Sequence, residues 1–205
     1  MKLVKTKDNS DTFFNEEYGE AYHSLTGALE EAEEKYIKPL GVKDDQIILD
    51  ICFGLGYNSF AAIEHAKHLK IIALEKDKEI LNNLQILNIN NTYNKIIKVL
   101  AKEHHYKDGS YDLQLLFGPA QDTIKTIKEH FDIVFLDPFS PKRNPELWTV
   151  EFFKEIFIRM KPGAKLATYS CARSIRDNLK AVGFIVTDGP AVKRRGPSTM
   201  AQKPF

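Results

Sequence analysis

Apolar runs of strand length alternate along the chain with longer stretches in which apolar residues recur at helical spacing. The clearest pair is QIILDICF at 46–53, typical of a strand, and YNSFAAIEHAKH at 57–68, typical of a helix. The same alternation predicts strands at 70–75, 111–117, 131–137, 165–170 and 183–188, and helices at 78–89, 92–105, 119–129, 145–160 and 172–182. Strand–helix alternation with continuous apolar strands predicts an α/β fold: a doubly wound, mostly parallel sheet covered by helices on both faces.

The beginning of the chain follows a different pattern. Residues 15–38 place apolar and charged residues at helical spacing, with an interruption near Gly27. Pro39 and Gly41 end this segment. We therefore expect an N-terminal helical extension, residues 1–45, packed on a main domain formed by residues 46–205.

Composition excludes several classes of protein. The 205 residues include 43% hydrophobic and 28% charged residues, which are ordinary values for a globular domain. No apolar run approaches the ~20 residues of a membrane-spanning helix, and the N-terminus has no apolar signal segment. Two cysteines, Cys52 and Cys171, do not make a disulfide scaffold, so we expect a soluble, reduced, cytoplasmic protein.

Charge is distributed unevenly although the net charge is only +1. Residues 1–120 contain 14 basic and 19 acidic side chains, whereas residues 121–205 contain 15 and 9. A basic C-terminal half is consistent with a polyanionic partner, and equally with an uneven surface that has no partner. His65 and His68 lie one helical turn apart, but no cysteine or acid pattern completes a metal site, so no metal is expected.

Two predicted strands end in residues that suit a nucleoside cofactor. Gly54 and Gly56 follow the strand at 46–53 and precede a helix, where glycine lets the backbone approach a ligand closely. Glu75 ends the next strand, where a carboxylate can accept hydrogen bonds from ribose hydroxyls. NAD and S-adenosylmethionine both fit this pair, but the dinucleotide fingerprint requires a third glycine where this chain has Ser59.

A third strand end favours S-adenosylmethionine. The strand at 131–137 runs into Asp137-Pro138-Phe139, which resembles the Asp-Pro-Pro-Tyr turn of amine-directed methyltransferases. An acid and a following carbonyl can hold an N–H group while the aromatic ring packs on the target. The stiff loop continues through SPKRNPELW, in which Phe139 or Trp148 could stack on a base and Lys142 and Arg143 could meet phosphate. For Trp148, packing in the core is an equal alternative.

These stretches together resemble the methyltransferase domain of the MnmC tRNA-modification family. The resemblance covers nearly the whole chain and rests on AYHSLTGALEEA (21–32), ILDICFGLGYN (48–58), LEK (74–76), FLDPFSPKRNPELWTVEFF (135–153), KLATYSCARSIRDNL (165–179) and GFIV with VKRRG (183–186 and 192–196). The stretch NPELWT is specific to the family, whereas the glycine motif is generic. The resemblance implies a Rossmann-like class I methyltransferase fold that uses S-adenosyl-L-methionine.

The resemblance also implies roles for individual residues. The catalytic set is Asp137, Pro138 and Phe139. The cofactor-binding set is Phe53, Gly54, Gly56, Asn58, Glu75, Lys76 and Asp122. The substrate-binding set is Tyr22, His23, Asn144, Trp148, Arg173, Lys193, Arg194 and Arg195. Two positions depart from the family: Cys52 replaces a glycine, and Pro119 replaces the acid expected to contact adenine, for which Asp122 is the candidate substitute.

The implied reaction is methylation of the aminomethyl nitrogen of 5-aminomethyl-(2-thio)uridine at the tRNA wobble position. The family's bifunctional enzyme also has a flavin oxidase domain for which this chain has no room, so we expect tRNA that already carries the free amine. Asp137 is expected either to stabilise positive charge on nitrogen or to accept the amine proton. The alternatives are a small-molecule amine methyltransferase and a non-catalytic RNA-binding protein on the same fold; an NAD-dependent oxidoreductase lacks the third glycine.

Overall fold

A computed structural model describes residues 2–8, 10–23, 27–87, 91–192 and 196–205. Its strands are β1 (Lys2–Lys5), β2 (Asp11–Asn15), β3 (Glu20–Ala21), β4 (Ile47–Ile51), β5 (Leu69–Glu75), β6 (His105–Lys107), β7 (Tyr111–Phe117), β8 (Phe131–Leu136), β9 (Met160–Thr168), β10 (Ile185–Asp188) and β11 (Thr199–Gln202). Its helices are α1 (Ala28–Ala32), α2 (Lys38–Leu40), α3 (Tyr57–His65), α4 (Ile80–Leu84), α5 (Asn91–Glu103), α6 (Ala120–Thr126), α7 (Val150–Arg159) and α8 (Arg173–Val182). A π-helical turn, Glu33–Ile37, joins α1 to α2, and a 3-10 turn, Pro145–Trp148, precedes α7.

Eight strands form the central sheet in the order β10-β11-β9-β8-β4-β5-β7-β6. The five strands from β9 to β7 are parallel, while β6, β10 and β11 pair antiparallel with their neighbours at the two edges. From β4 the chain moves to one side through β5 and later to the other side through β8, so the strand order reverses at β4. In sheets of this kind, ligands bind beyond the carboxyl ends of the strands at the point of reversal.

Both faces of the sheet are buried. Successive side chains of β4 point to opposite faces, so Ile48 joins one hydrophobic cluster while Leu49 and Ile51 join the other. α1, the π-helical turn and α2 run on from one another, and we call them together the helix Ala28–Leu40. The first cluster is completed by α3, α5 and this helix, and the second by α6, α7 and α8. The predicted doubly wound, mostly parallel α/β sheet is therefore confirmed.

The helix predicted over 15–38 is wrong in its first half. β1, β2 and β3 form a separate antiparallel sheet, and helix begins only at Ala28. The reason is turn chemistry: the Asn15 side-chain oxygen accepts hydrogen bonds from the Glu17 and Tyr18 amides at 3.0 and 3.2 Å. Gly19 then adopts a φ of +63°, and its amide returns to the Asn15 carbonyl at 2.8 Å. This closes a β2–β3 hairpin in place of a helical turn.

Smaller differences concern element ends. The helix predicted over 145–160 is a 3-10 turn followed by α7, because the Thr149 side chain caps α7 by accepting from the Phe152 amide at 3.2 Å. The short edge strand β6 and the short strand β11, which lies between β10 and β9, were not predicted. Helix α4 covers only part of the predicted 78–89, of which residues 88 and 89 lie outside the described residues. Within the described ranges, no helix is both long and apolar enough to span a bilayer.

Candidate active site

A cleft of about 1180 Å³ opens at the carboxyl ends of the central strands. Its floor is formed by residues that follow β4, β5 and β8, and its wall by the β2–β3 hairpin and the residues after it. Backbone hydrogen bonds hold the strand ends in register: the Asp137 amide donates to Ile51 at 3.2 Å, and the Phe53 amide donates to Leu74 at 2.9 Å. The three strand ends that the sequence singled out therefore meet in one place.

The turn after β4 needs glycine. Gly54 and Gly56 have φ of +54° and +77°, a region that disfavours residues with a Cβ. A Cβ on Gly54 would lie 3.1 Å from the Tyr22 ring, and one on Gly56 would lie 2.6 Å from the Phe53 ring. Tyr22 and Phe53 both line the cleft. The turn is thus a backbone surface from which side chains are excluded.

Cys52 shares the left-handed conformation of these glycines, with φ of +67°. The residue lines the cleft between β4 and the turn. Burial and the nearby carboxylates of Glu75, Asp137 and Asp50 raise the pKa of its thiol well above the ordinary value. The thiol is accordingly protonated at neutral pH and is not an activated nucleophile.

Glu75 is buried at the end of β5 and accepts three backbone hydrogen bonds. Its Oε2 accepts from the Gly54 amide at 2.8 Å, and its Oε1 accepts from the Lys76 and Asp77 amides at 2.8 and 2.9 Å. Burial raises the pKa of this carboxyl, and the three amides partly offset that effect. A carboxylate offers about four lone-pair directions, so Glu75 keeps acceptor capacity toward the cleft.

Asp137 is held by two side-chain donors. Tyr36, fully buried in the π-helical turn, donates to Oδ1 at 2.7 Å, and Asn58 donates to Oδ2 at 2.9 Å. Burial, followed by the charge of Glu31, raises the pKa of Asp137 to about 6. Its carboxylate is therefore fixed in orientation and ionised at neutral pH. Asn58, assigned to the cofactor by the family resemblance, contacts the catalytic candidate in this structure.

Asp50 is a buried acid that the sequence reading passed over inside a strand. It is fully buried on β4 and accepts from the Ser59 hydroxyl at 2.6 Å. Its other oxygen, Oδ1, has no hydrogen-bond partner among the residues that the structure describes. Burial raises the pKa of Asp50 to about 7. Ser59 stands where the dinucleotide fingerprint requires its third glycine. Its hydroxyl holds Asp50, so this serine has a structural role.

The helix Ala28–Leu40 contributes two further charged residues to the cleft, neither of which was predicted. Lys35 is only 5% exposed and forms an ion pair with Glu31 one helical turn earlier. Both side chains line the cleft, and the charges of both act on Asp137. Helical periodicity marked these positions as a polar face, but only tertiary packing brings that face to Asp137.

Tyr22 and His23, which the resemblance assigns to substrate binding, both line the cleft. His23 packs edge-on against the Tyr57 ring at 4.8 Å and is nine-tenths buried. Its Nδ1 has no hydrogen-bond partner within the described part of the chain. Burial lowers the pKa of His23 to about 4, with the charge of Glu31 acting in the opposite direction, so the ring is neutral. Tyr22 accepts from the Asn15 amide nitrogen at 3.2 Å.

The loop after β8 is braced by the N-terminal hairpin. The Phe139 ring stacks on Tyr18 at 4.7 Å and is tilted against Tyr22 at 5.2 Å. Glu20 accepts from the Ser140 amide at 3.1 Å and hydrogen-bonds the Ser140 hydroxyl. Pro138 and Phe139 line the cleft on this braced segment. Phe139 is thus already part of an aromatic wall contributed by two segments distant in sequence.

Trp148 does not line the cleft. It is buried in the second hydrophobic cluster, and its indole N–H donates to the Phe139 carbonyl at 3.0 Å. The alternative of core packing is therefore the correct one, and Trp148 braces the loop from behind. Asn144 is buried at the cleft wall, where its side-chain amide lies 3.5 Å from a Glu146 oxygen.

Two other predicted site residues, Asp122 and Arg173, lie apart from the cleft. Asp122 is exposed on α6 and is not part of the lining, whereas its neighbour Gln121 is, so the substitution of Asp122 for the missing acid lacks support. Arg173 is 95% exposed, pairs with Asp177 at 3.6 Å and does not line the cleft. Lys76 is exposed at the cleft edge. The predicted Lys193, Arg194 and Arg195 lie outside the described residues.

The cleft is rich in negative charge. Its described lining contains eight carboxylates and three lysines. Such an excess attracts cations and repels anions, so the interior suits a positively charged group, not a phosphate. Within the described ranges, no group of three or more histidines, cysteines or carboxylates is arranged to hold a metal ion.

Comparison with known proteins identifies the family. Residues 85–204 match the model of a family described as S-adenosyl-L-methionine-dependent methyltransferase. The chain belongs to that family. It is also 32% identical to the crystallised MnmC2 of Aquifex aeolicus, with a TM-score of 0.86 over 100% of this chain and 72% of that chain. The methyltransferase fold of Rossmann-like class I type and the likeness to the MnmC methyltransferase domain are thereby confirmed.

Curated relatives are longer than this chain. An uncharacterized protein of Methanocaldococcus jannaschii is 35% identical over 98% of this chain and 59% of its own length. The tRNA 5-methylaminomethyl-2-thiouridine biosynthesis bifunctional protein MnmC of Campylobacter concisus is 28% identical over 99% of this chain and 36% of its own length. The chain thus spans 59% of the first relative and about a third of the second.

The cleft of this methyltransferase fits S-adenosylmethionine. At Gly54 the backbone itself lines the cleft, since a Cβ there would approach the Tyr22 ring to 3.1 Å, and Glu75 offers a carboxylate beside it. A sulfonium and an α-amino group are both cationic, which matches the acidic lining.

Proposed function

We propose that this methyltransferase transfers a methyl group to the aminomethyl nitrogen of 5-aminomethyl-(2-thio)uridine at the wobble position of tRNA. The observation that carries the proposal is the geometry of Asp137. Its ionised carboxylate is held by Tyr36 and Asn58, beside the turn after β4 that contains Gly54 and Gly56. The printed names of the MnmC relatives, which specify 5-methylaminomethyl-2-thiouridine biosynthesis in tRNA, support the identity of the acceptor.

An alkylamine needs help from the protein before it can react. Its pKa is about 10, so at pH 7 roughly one molecule in 10³ has a free lone pair, a cost of about 4 kcal/mol. The proton must therefore leave the nitrogen for solvent before transfer, because Asp137 has to stay ionised to stabilise the ammonium that forms. Held by the turn at Gly54 and by Glu75, S-adenosylmethionine would supply an electrophilic methyl group to that lone pair and would leave as S-adenosylhomocysteine.

Asp137 acts on the charge that develops on nitrogen. The neutral amine becomes a secondary ammonium on methylation, and a fixed carboxylate stabilises that positive charge without having to reorganise. Tyr36 and Asn58 supply the fixation, because both carboxylate oxygens are already oriented by a donor. The aromatic wall of Tyr18, Tyr22 and Phe139 offers ring faces beside it for the uracil base.

Binding of tRNA is assigned to basic residues outside the acidic interior. Lys142 and Arg143 are exposed on the loop that carries Asp137, and Lys76 is exposed at the cleft edge. Lys193, Arg194 and Arg195, which match the basic motif of the family, add to the positive balance of residues 121–205. Cations at the rim hold phosphates while the acidic interior admits only the amine-bearing group.

Mass spectrometry of nucleosides tests the proposal. Transfer RNA carrying 5-aminomethyl-2-thiouridine is incubated with the protein and methyl-labelled S-adenosylmethionine, digested and separated. We expect one labelled methyl group on the aminomethyl nitrogen, and none with tRNA that lacks this modification. Label found only on free alkylamines would indicate a small-molecule amine methyltransferase, and cofactor binding without any transfer would indicate a non-catalytic protein.

A further inference from the structure

The ion pair between Glu31 and Lys35 has no evident task in holding the fold together. Their side chains are 12% and 6% exposed, and burying two charges costs about as much desolvation energy as their attraction returns. The same helix carries a second pair at the same spacing, Glu34–Lys38, with side chains 42% and 57% exposed. Only the pair that faces the cleft is buried, which points to a task in the cleft.

The pair belongs to the same electrostatic cluster as Asp137. Tyr36, the residue after Lys35, donates to Asp137, and the charge of Glu31 acts on Asp137, Tyr36 and His23. Lys35 opposes Glu31 by favouring the ionised form of Asp137. The nine-tenths buried Nδ1 of His23, without a partner among the described residues, also faces this cleft. Glu31, Lys35, Asp137 and His23 therefore line the same cleft as one cluster of charged and polar groups.

We infer that Glu31 is a second carboxylate of the amine pocket. Until the substrate amine arrives, the Lys35 ammonium occupies the position beside Glu31 that the amine will take. The inference rests on the proposed function and specifies how the pocket selects its substrate. The Lys35 side chain ends in an alkylammonium, the same group as a protonated aminomethyl substituent. Glu31 therefore recognises both, and Lys35 and the incoming amine compete for it. A neutral or anionic substituent on uridine lacks this contact.

Because Lys35 and the amine compete for Glu31, substitutions of Glu31 and Lys35 should change the affinity of the pocket for a cation in opposite directions. Removing the charge of Glu31 weakens the binding of a cation in the pocket, whereas removing the charge of Lys35 strengthens it. Two ligands that differ at the reacting position measure this directly. Sinefungin is an S-adenosylmethionine analogue in which a carbon bearing a primary amine replaces the methylated sulfonium, and S-adenosylhomocysteine is uncharged at that position.

Calorimetry gives the ratio of the two affinities for each variant. We expect Glu31→Gln to lower the preference for sinefungin over S-adenosylhomocysteine by about tenfold, and Lys35→Met to raise it by about threefold. Affinity for S-adenosylhomocysteine should change less than threefold in both. Glu34→Gln and Lys38→Met, the exposed pair on the same helix, should leave the ratio unchanged. Because Glu31→Gln leaves a buried lysine without its partner, the double variant Glu31→Gln/Lys35→Met is measured as well and should also lose the preference.

The outcomes separate this inference from the proposed substrate. An unchanged ratio in folded Glu31→Gln and in the double variant, or a fall in the ratio for Lys35→Met, would overturn the role of Glu31 even if tRNA is methylated. The predicted opposite shifts in a protein that methylates no tRNA would refute the tRNA substrate while supporting the amine pocket. A loss of affinity for both ligands in both single variants would assign the pair to the fold alone.

Discussion

At the scale of single residues, Cys52 combines an unfavourable backbone conformation with an unreactive thiol. A φ of +67° costs a residue with a Cβ about 1–2 kcal/mol, and glycine removes that cost while giving back about 0.5–1 kcal/mol through its freer unfolded chain. We therefore expect Cys52→Gly to stabilise the protein by about 0.5–1 kcal/mol in urea unfolding. Cys52→Ala keeps the strain and is the matched control. Equal or lower stability of the glycine variant would contradict this explanation.

Asp50 gives the fold a pH dependence of known sign. Its pKa is raised to about 7 in the folded protein, above the value of 3.8 for an unperturbed group. The folded state therefore binds this proton more tightly than the unfolded state, and the stabilisation is lost as pH rises through 7. The contribution of Asp50 should be about 2–3 kcal/mol smaller at pH 8 than at pH 5. Asp50→Asn should remove this contribution to the pH dependence of the free energy of unfolding, measured by urea unfolding at both pH values. Identical pH profiles for the variant and the wild type would rule out a contribution from Asp50.

At the scale of elements, the β2–β3 hairpin positions the loop after β8. Glu20 bonds the Ser140 amide and hydroxyl, and Tyr18 stacks on Phe139, so two short elements fix the wall beside Asp137. Glu20→Ala should lower the methyl-transfer rate about 10–100-fold while changing S-adenosylmethionine affinity less than threefold, because the cofactor turn is held separately. Glu151→Ala, an exposed acid on α7, is the control. Parallel losses of rate and cofactor affinity would mean that the hairpin supports the whole fold.

Some elements of the site could be predicted from the sequence, and others could not. The β4–α3 turn with Gly54 and Gly56 and the strand end at Asp137 were predictable, because continuous apolar strands and glycines have local signatures. The β2–β3 hairpin was not, since its charged and aromatic residues also fit a helical period. Glu31, Lys35 and Tyr36 reach Asp137 only through packing of a helix more than a hundred residues away in the chain. Trp148 was ambiguous for the same reason: its burial depends on Asn178 and Tyr169 from later elements.

At the scale of the whole molecule, the protein combines an acidic cleft with basic residues outside it. The arrangement follows from topology, because the carboxyl ends of β4, β5 and β8 bring Glu75 and Asp137 to one edge while the hairpin and the helix Ala28–Leu40 close over it. In the proposed function, cofactor and amine both present positive charge to this interior, and nucleic acid meets the basic residues outside it. In this setting, Asp137 is proposed to promote transfer of the methyl group to an amine.

Single-turnover kinetics test the role of Asp137. The rates of methyl transfer by Asp137→Asn and Asp137→Ala are compared with wild type on tRNA bearing the free aminomethyl group. Loss of one preorganised charged group typically costs about 10²–10³ in rate. If the carboxylate charge matters, Asn should be nearly as slow as Ala, while affinities for tRNA and S-adenosylmethionine stay within about threefold of wild type. Partial rescue by Asn would identify Asp137 as an orienting acceptor. Wild-type rates in a correctly folded Asp137→Ala protein would show that the reaction takes place at another strand end.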